Sequence, residues 1–130
     1  VAVEDPNDTS SYVGTLSVGE TAIITSGSYQ RYFVGPDGMK YHHIIDPSIG
    51  RPADNDLVSV TIVCPDGTLA DALSTAMFVL GENAALKYWR ENGGFEMIMI
   101  NKDNEIMCTT GLIEVFTLTN RTDYTLKMVE

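Results

Sequence analysis

Cations are scarce in this chain: eight Lys plus Arg stand against eighteen Asp plus Glu, for a formal net charge of −10. That balance repels phosphate backbones and anionic lipid surfaces and argues against nucleic acid as a partner. Cysteine is scarcer still. Two residues, Cys64 and Cys108, do not make a disulfide framework, and Cys64 sits in an apolar, strand-like run where a small buried thiol is the common outcome. No stretch approaches the roughly 18–20 apolar residues of a membrane-spanning helix, and there is no internal repeat or low-complexity segment. What the chain does have is apolar material, 44% of 130 residues, enough for one domain with a real core.

Residues 1–20 mix Asp, Asn, Ser, Pro and Gly with short apolar stretches, which predicts an entering strand, a loop and a second strand by Leu16 to Val18. Residues 21–25 and 28–34 read as extended pieces broken at Ser26-Gly27. Pro36-Asp37-Gly38 then turns the chain into a hairpin partner over residues 39–45, which delivers His43 to the Asp46-Pro47 turn. Residues 56–64 are rich in β-branched side chains and predict a central strand ending at Pro65-Asp66-Gly67. A helix follows, with Thr68 as N-cap and Leu69, Ala70, Leu73, Ala76, Met77 and Leu80 at helical spacing before Gly81. Residues 83–91 make a shorter helix, residues 95–101 and 105–109 a hairpin around Lys102-Asp103-Asn104, and residues 113–118 and 124–129 further strands. The expected fold class is α+β, a mostly antiparallel sheet packed against one long and one short helix.

Within the long helix, Asp71 and Thr75 are four apart and share a face, with Cβ atoms about 5–6 Å from each other. One hard cation can touch both oxygens, because magnesium is commonly held by only one or two protein oxygens while water and substrate phosphates complete its shell. The structural alternative has Asp71 favouring the positive helix N-terminus and Thr75 bonding back to a carbonyl. His43, in a strand of Tyr and Ile, is either a buried, hydrogen-bonded imidazole or a group able to move a proton near pH 7. Asp46 before Pro47 shapes a turn, Gly27 permits close approach of backbone to a ligand, and Arg31 either pairs with an acid or approaches a phosphate. Tyr88 and Trp89, in the shorter helix, read as packing residues.

The order of the motifs resembles that of the ApbE family, flavin transferases that move FMN from FAD onto protein. The matching pieces are Asp5-Pro6, Ser11-Tyr12-Val13-Gly14, Thr25-Ser26-Gly27-Ser28-Tyr29-Gln30-Arg31-Tyr32-Phe33, and Tyr41-His42-His43-Ile44-Ile45-Asp46-Pro47-Ser48-Ile49-Gly50-Arg51-Pro52. They continue with Leu69-Ala70-Asp71-Ala72-Leu73-Ser74-Thr75-Ala76, Phe78-Val79-Leu80-Gly81 and Thr110-Gly111-Leu112. Ile49 departs from the pattern, since the family usually carries Thr at that place in its Asp-Pro-x-Thr-Gly-x-Pro turn; position 49 therefore offers no hydroxyl, while the turn residues are kept.

The resemblance implies a layered α+β fold and a Mg2+-dependent transfer of FMN from FAD to a Thr hydroxyl of a target flavoprotein. It implies Asp71 and Thr75 as metal ligands, His43 as the active-site histidine, and Ser26, Gly27, Tyr29 and His43 as residues lying against the flavin nucleotide; His42 has no such counterpart. The implied acceptors are subunits of respiratory, ion-pumping or reductase complexes. An FAD diphosphate is anionic and this chain has few cations for it, a conflict that a bound divalent metal removes. Two other readings stand beside the transferase: water in place of the Thr hydroxyl gives an FAD pyrophosphatase releasing FMN and AMP, and loss of turnover gives a non-catalytic module that binds flavin or a partner. The resemblance further implies that residues 1–130 form a single domain corresponding to the C-terminal half of such an enzyme. The missing N-terminal half is then a candidate partner, and the address is extracytoplasmic, periplasmic or that of a membrane-anchored lipoprotein. The start at Val1, with neither Met nor a basic-then-apolar leader, reads as a processed product or one piece of a split protein.

Overall fold

The computed structural model describes residues 1–27, 32–34, 40–42, 45–46, 51–52, 56–119 and 123–130. Its strands are β1 (Ala2–Asp5), β2 (Asp8–Leu16), β3 (Ala22–Gly27), β4 (Tyr32–Val34), β5 (Lys40–His42), β6 (Ile45–Asp46), β7 (Arg51–Pro52), β8 (Leu57–Cys64), β9 (Glu96–Asn101), β10 (Glu105–Thr109), β11 (Phe116–Leu118) and β12 (Thr125–Val129). Two helices, α1 (Gly67–Leu80) and α2 (Glu82–Asn92), lie between β8 and β9 in the chain. The main sheet has the order β12-β10-β9-β8-β3, and a smaller sheet the order β1-β2-β11. Every pairing in the main sheet is antiparallel except that of β10 with β12. The α+β class expected from the sequence is the class observed.

A strand that is apolar at successive positions is stable only when both faces are covered, and β9 shows how this is done. Met97 and Met99 turn toward α1 and α2, where they join Val60, Ile62, Leu73, Met77, Phe78 and Leu86. Ile98 and Ile100 turn the other way, toward Val3, Val13, Leu16 and Phe116 of the smaller sheet. The period of two along a strand thus feeds two separate cores, and three layers result: helices, main sheet and smaller sheet.

Helix α1 starts two residues earlier than a Thr68 cap would allow. Asp66 is the N-cap, its Oδ1 accepting the Thr68 and Leu69 backbone N–H groups at 3.0 and 3.3 Å; a carboxylate ahead of the first turn satisfies two otherwise orphaned donors. The buried face also differs from the expected one. Ala70, Leu73, Ser74, Met77 and Phe78 face the sheet, whereas Leu69, Ala76 and Leu80 are exposed. Apolar residues surround most of this helix, so spacing alone does not choose which arc docks on β8 and β3.

Three strand boundaries also moved. Strand β3 runs through Ser26 and Gly27, which pair with Val60 and Ser59, so no break falls there. Strand β2 begins at Asp8 and spans nine residues, because β1 on one side and β11 on the other hold it extended despite its polar start. Residues 110–112 form a short 3-10 helix, leaving β11 only three residues long. The β4–β5 pairing, Tyr32 with His42 and Val34 with Lys40, is the hairpin expected around residues 36–38.

The Asp5-Pro6 motif has a structural explanation. Asp5 is fully buried, and its Oδ1 accepts from the Asn7 N–H at 2.9 Å and from the Tyr124 hydroxyl at 2.5 Å. This ties the first turn of the chain to the segment entering β12.

Gly14 is required for a different reason. A Cβ there would lie 2.5 Å from the Phe116 ring and 2.8 Å from the Thr117 carbonyl oxygen, a backbone atom that cannot step aside. Gly14→Ala is expected to destabilise the chain by about 1–3 kcal/mol, in the range of core overpacking, read as a lowered midpoint in urea unfolding. An unchanged midpoint would mean that β2 and β11 are not packed this closely.

Candidate functional site

Strand β3 runs alongside α1, with its last two residues opposite the second and third turns of the helix, and side-chain hydroxyls gather there. Ser26 Oγ is 2.8 Å from Ser74 Oγ and 3.4 Å from Thr75 Oγ1. Ser74 Oγ also donates to the Asp71 carbonyl oxygen at 2.9 Å. Ser26 and Ser74 are buried, while Asp71 and Thr75 are exposed. The arrangement therefore has an inner pair of hydroxyls and an outer carboxylate and hydroxyl on the open side of one helix.

This geometry bears on the two readings of Asp71 and Thr75. Asp71 is the fifth residue of α1, and no acidic residue occupies the first turn; the helix-dipole effect fades within that turn. The side-chain bond to the Asp71 carbonyl comes from Ser74 and not from Thr75, so Thr75 is not spent on its own backbone. Both structural alternatives thus lose their support, and two hard oxygens face solvent at helical i, i+4 spacing. Such a donor set fits Mg2+, which accepts one or two protein oxygens and fills its remaining positions with water and phosphate. Among the described residues, no cluster of three or more His, Cys, Asp or Glu side chains forms a metal cage. Neither α1 nor β3 carries Lys or Arg, so an anionic ligand at this place has no neighbouring cation on these two elements.

Of the residues expected at the site, the structure brings together Ser26, Asp71 and Thr75, with Gly27 next in the chain. Tyr29 and His43 lie outside the described residues, as does Arg31. Ser74 was missed, because the sequence does not show which arc of α1 is buried and so does not mark this hydroxyl as an inner one. Tyr88 and Trp89 are packing residues as expected: Trp89 Nε1 donates to the Phe95 carbonyl at 2.9 Å, and the Tyr88 and Phe95 ring centroids are 6.2 Å apart.

Both cysteines are free and buried. Burial, with a smaller contribution from the nearby Glu96 carboxylate, pushes the Cys108 thiol up to about 11, far from the thiolate needed for nucleophilic work. Neither thiol is expected to react with a thiol-specific reagent at pH 8 in native protein, with both reacting in denaturant. Rapid labelling of the native chain would contradict the burial.

The fold and this site define a class, a layered α+β protein with a carboxylate and hydroxyls gathered where one helix meets the edge strand of the main sheet. The model of the ApbE family matches residues 1–99, and the chain belongs to the ApbE family. It is 40% identical over 115 residues to the FAD:protein FMN transferase of Treponema pallidum, covering 88% of this chain and 32% of that protein. Against the FAD:protein FMN transferase of Escherichia coli K12 it is 38% identical over 106 residues, covering 81% of this chain and 30% of that protein. Among solved structures, the ApbE protein of Thermotoga maritima superposes with a TM-score of 0.74 at 38% identity, covering 88% of this chain and 37% of that one. The flavin transferase ApbE of Vibrio cholerae gives 0.72 at 32% identity, with the same coverage of 88% and 37%. The chain thus spans about a third of the length of the curated relatives it matches.

Proposed function

We propose that this chain contributes the cation-holding and flavin-contacting part of an FAD:protein FMN transferase. The observation that carries this reading is the pair of oxygens from Asp71 and Thr75 on the open side of α1, in a chain whose relatives bear that name. In the reaction, the hydroxyl oxygen of a Thr in the target flavoprotein forms a bond to the FMN phosphorus. The P–O–P link of FAD breaks, and AMP leaves with the electron pair of that bond. Asp71, with a charged oxygen, and Thr75, with a neutral one, would hold Mg2+, and the ion would supply positive charge to offset that of the diphosphate. His43 takes the proton of the attacking hydroxyl. Ser26, Gly27 and Tyr29 are assigned to nucleotide contact by the family resemblance. The target is a subunit of a respiratory or reductase complex that carries covalent FMN.

The test mixes the chain with FAD, Mg2+ and an acceptor carrying the target Thr, followed by intact-mass analysis beside a chelator control. The expected result is an acceptor heavier by one esterified FMN, with the gain abolished by chelation. Release of FMN and AMP without an acceptor would replace the transferase with a pyrophosphatase, and absence of both products from folded chain would leave a binding module.

A further inference from the structure

Ser74 is fully buried in a helix face otherwise made of Ala70, Leu73, Met77 and Phe78. A hydroxyl in such a place costs stability unless it is hydrogen-bonded, and the direction of its bonds is fixed by counting protons. A serine hydroxyl has one proton to give. Ser74 gives its proton to the Asp71 carbonyl, which can only accept, so in the 2.8 Å contact between the two serines Ser26 must be the donor. The Ser26 proton is then spent, and in the 3.4 Å contact with Thr75 the threonine must donate. The sequence of donors therefore runs from Thr75 to Ser26, from Ser26 to Ser74, and from Ser74 to the backbone of Asp71.

From this order we infer that Ser26 and Ser74 are positioning residues that orient Thr75 for a divalent cation. The inference rests on the proposed role of Asp71 and Thr75 as cation ligands. With its proton held inward by Ser26, Thr75 turns its lone pairs outward, the orientation a neutral hydroxyl needs to ligate a metal ion. The same relay ends on the backbone carbonyl of Asp71, so the buried pair links Thr75 to the turn of helix that carries Asp71. Ser26 then acts inside the protein through its hydroxyl, and any contact it makes with a nucleotide falls to its backbone.

The experiment measures Mn2+ binding to the full chain in the presence of FAD, by loss of the free-ion electron paramagnetic resonance signal. Ser26→Ala and Ser74→Ala are each expected to weaken binding about 10-fold, the lower end for residues that orient metal ligands. Ser26→Thr, which keeps the hydroxyl, should restore binding to near the wild-type value. Ser59→Ala serves as the control, since Ser59 Oγ is buried on the neighbouring strand without a hydrogen-bond partner among the described residues; it should leave binding unchanged. The decisive arm is Thr75→Val. If the serines act through Thr75, Ser74→Ala adds nothing in that background, because coupled residues are not additive. A full additional loss there, or unchanged binding in both serine variants, would overturn the relay. Failure of the underlying reading looks different, with Asp71→Asn binding Mn2+ as the wild type does or the wild type binding none; either result removes the relay as well.

Discussion

Asp71→Asn is expected to lower chelator-sensitive FMN transfer by at least about 100-fold, the scale of removing one charge-stabilising group from a polar transition state. The substitution keeps the shape of the side chain and deletes its charge, and the residue is exposed on α1, so stability should move by no more than about 0.5 kcal/mol. Loss of transfer with an unchanged unfolding midpoint is thus the signature of a metal ligand, and loss of both would point to a structural role. Thr75→Ser should keep most of the activity because it keeps the oxygen, whereas Thr75→Val should not. The Asp71 charge matters more than the neighbouring hydroxyls because no Lys or Arg stands on α1 or β3. On the proposed assignment, the cation would be the source of positive charge at these two elements for a diphosphate, and Asp71 the charged group holding it. Undiminished transfer in Asp71→Asn would remove this residue from the metal site.

Phe78→Ala carries the largest expected effect on stability, about 3–5 kcal/mol for removing a buried aromatic ring and leaving a cavity. A domain of this kind has about 5–15 kcal/mol in all, so the variant should unfold at a much lower urea concentration with little change in slope. The ring is 1% exposed and belongs to the core between the helices and the main sheet. Leu69→Ala makes the matching control. It lies on the same helix, is 47% exposed, and should cost no more than about 0.5 kcal/mol. Similar losses from both would mean that α1 is rotated from the position described here.

That comparison also marks where the sequence stops being informative. The hairpin of β9 and β10 was legible because a polar turn, Lys102-Asp103-Asn104, separates two apolar runs, and Asn104 accordingly has a positive φ of 59°. The start of α1 was not. Thr68 and Asp66 are both good caps in isolation, and the choice went to the residue whose carboxylate reaches two N–H groups. The polar opening of β2 likewise gave no sign of strand, since what holds it extended is pairing with β1, while β11, about a hundred residues further along the chain, pairs with its other end.

The site divides in the same way. Asp71 and Thr75 were readable from spacing, because helical geometry alone puts them on one face. Ser26 was readable as part of a motif, but its burial and its contacts with Ser74 and Thr75 were not, because a pairing between residues 48 positions apart exists only once β3 lies beside α1. By itself the sequence determined the local periods, the turns, the acidic charge and the family resemblance, all properties of short segments or of composition. Tertiary structure alone decided which arc of α1 is buried, which sheet face each residue of β9 serves, and in which direction the hydroxyl protons of the site run. Each of these depends on a partner far away in the chain, and no local preference encodes where that partner will be.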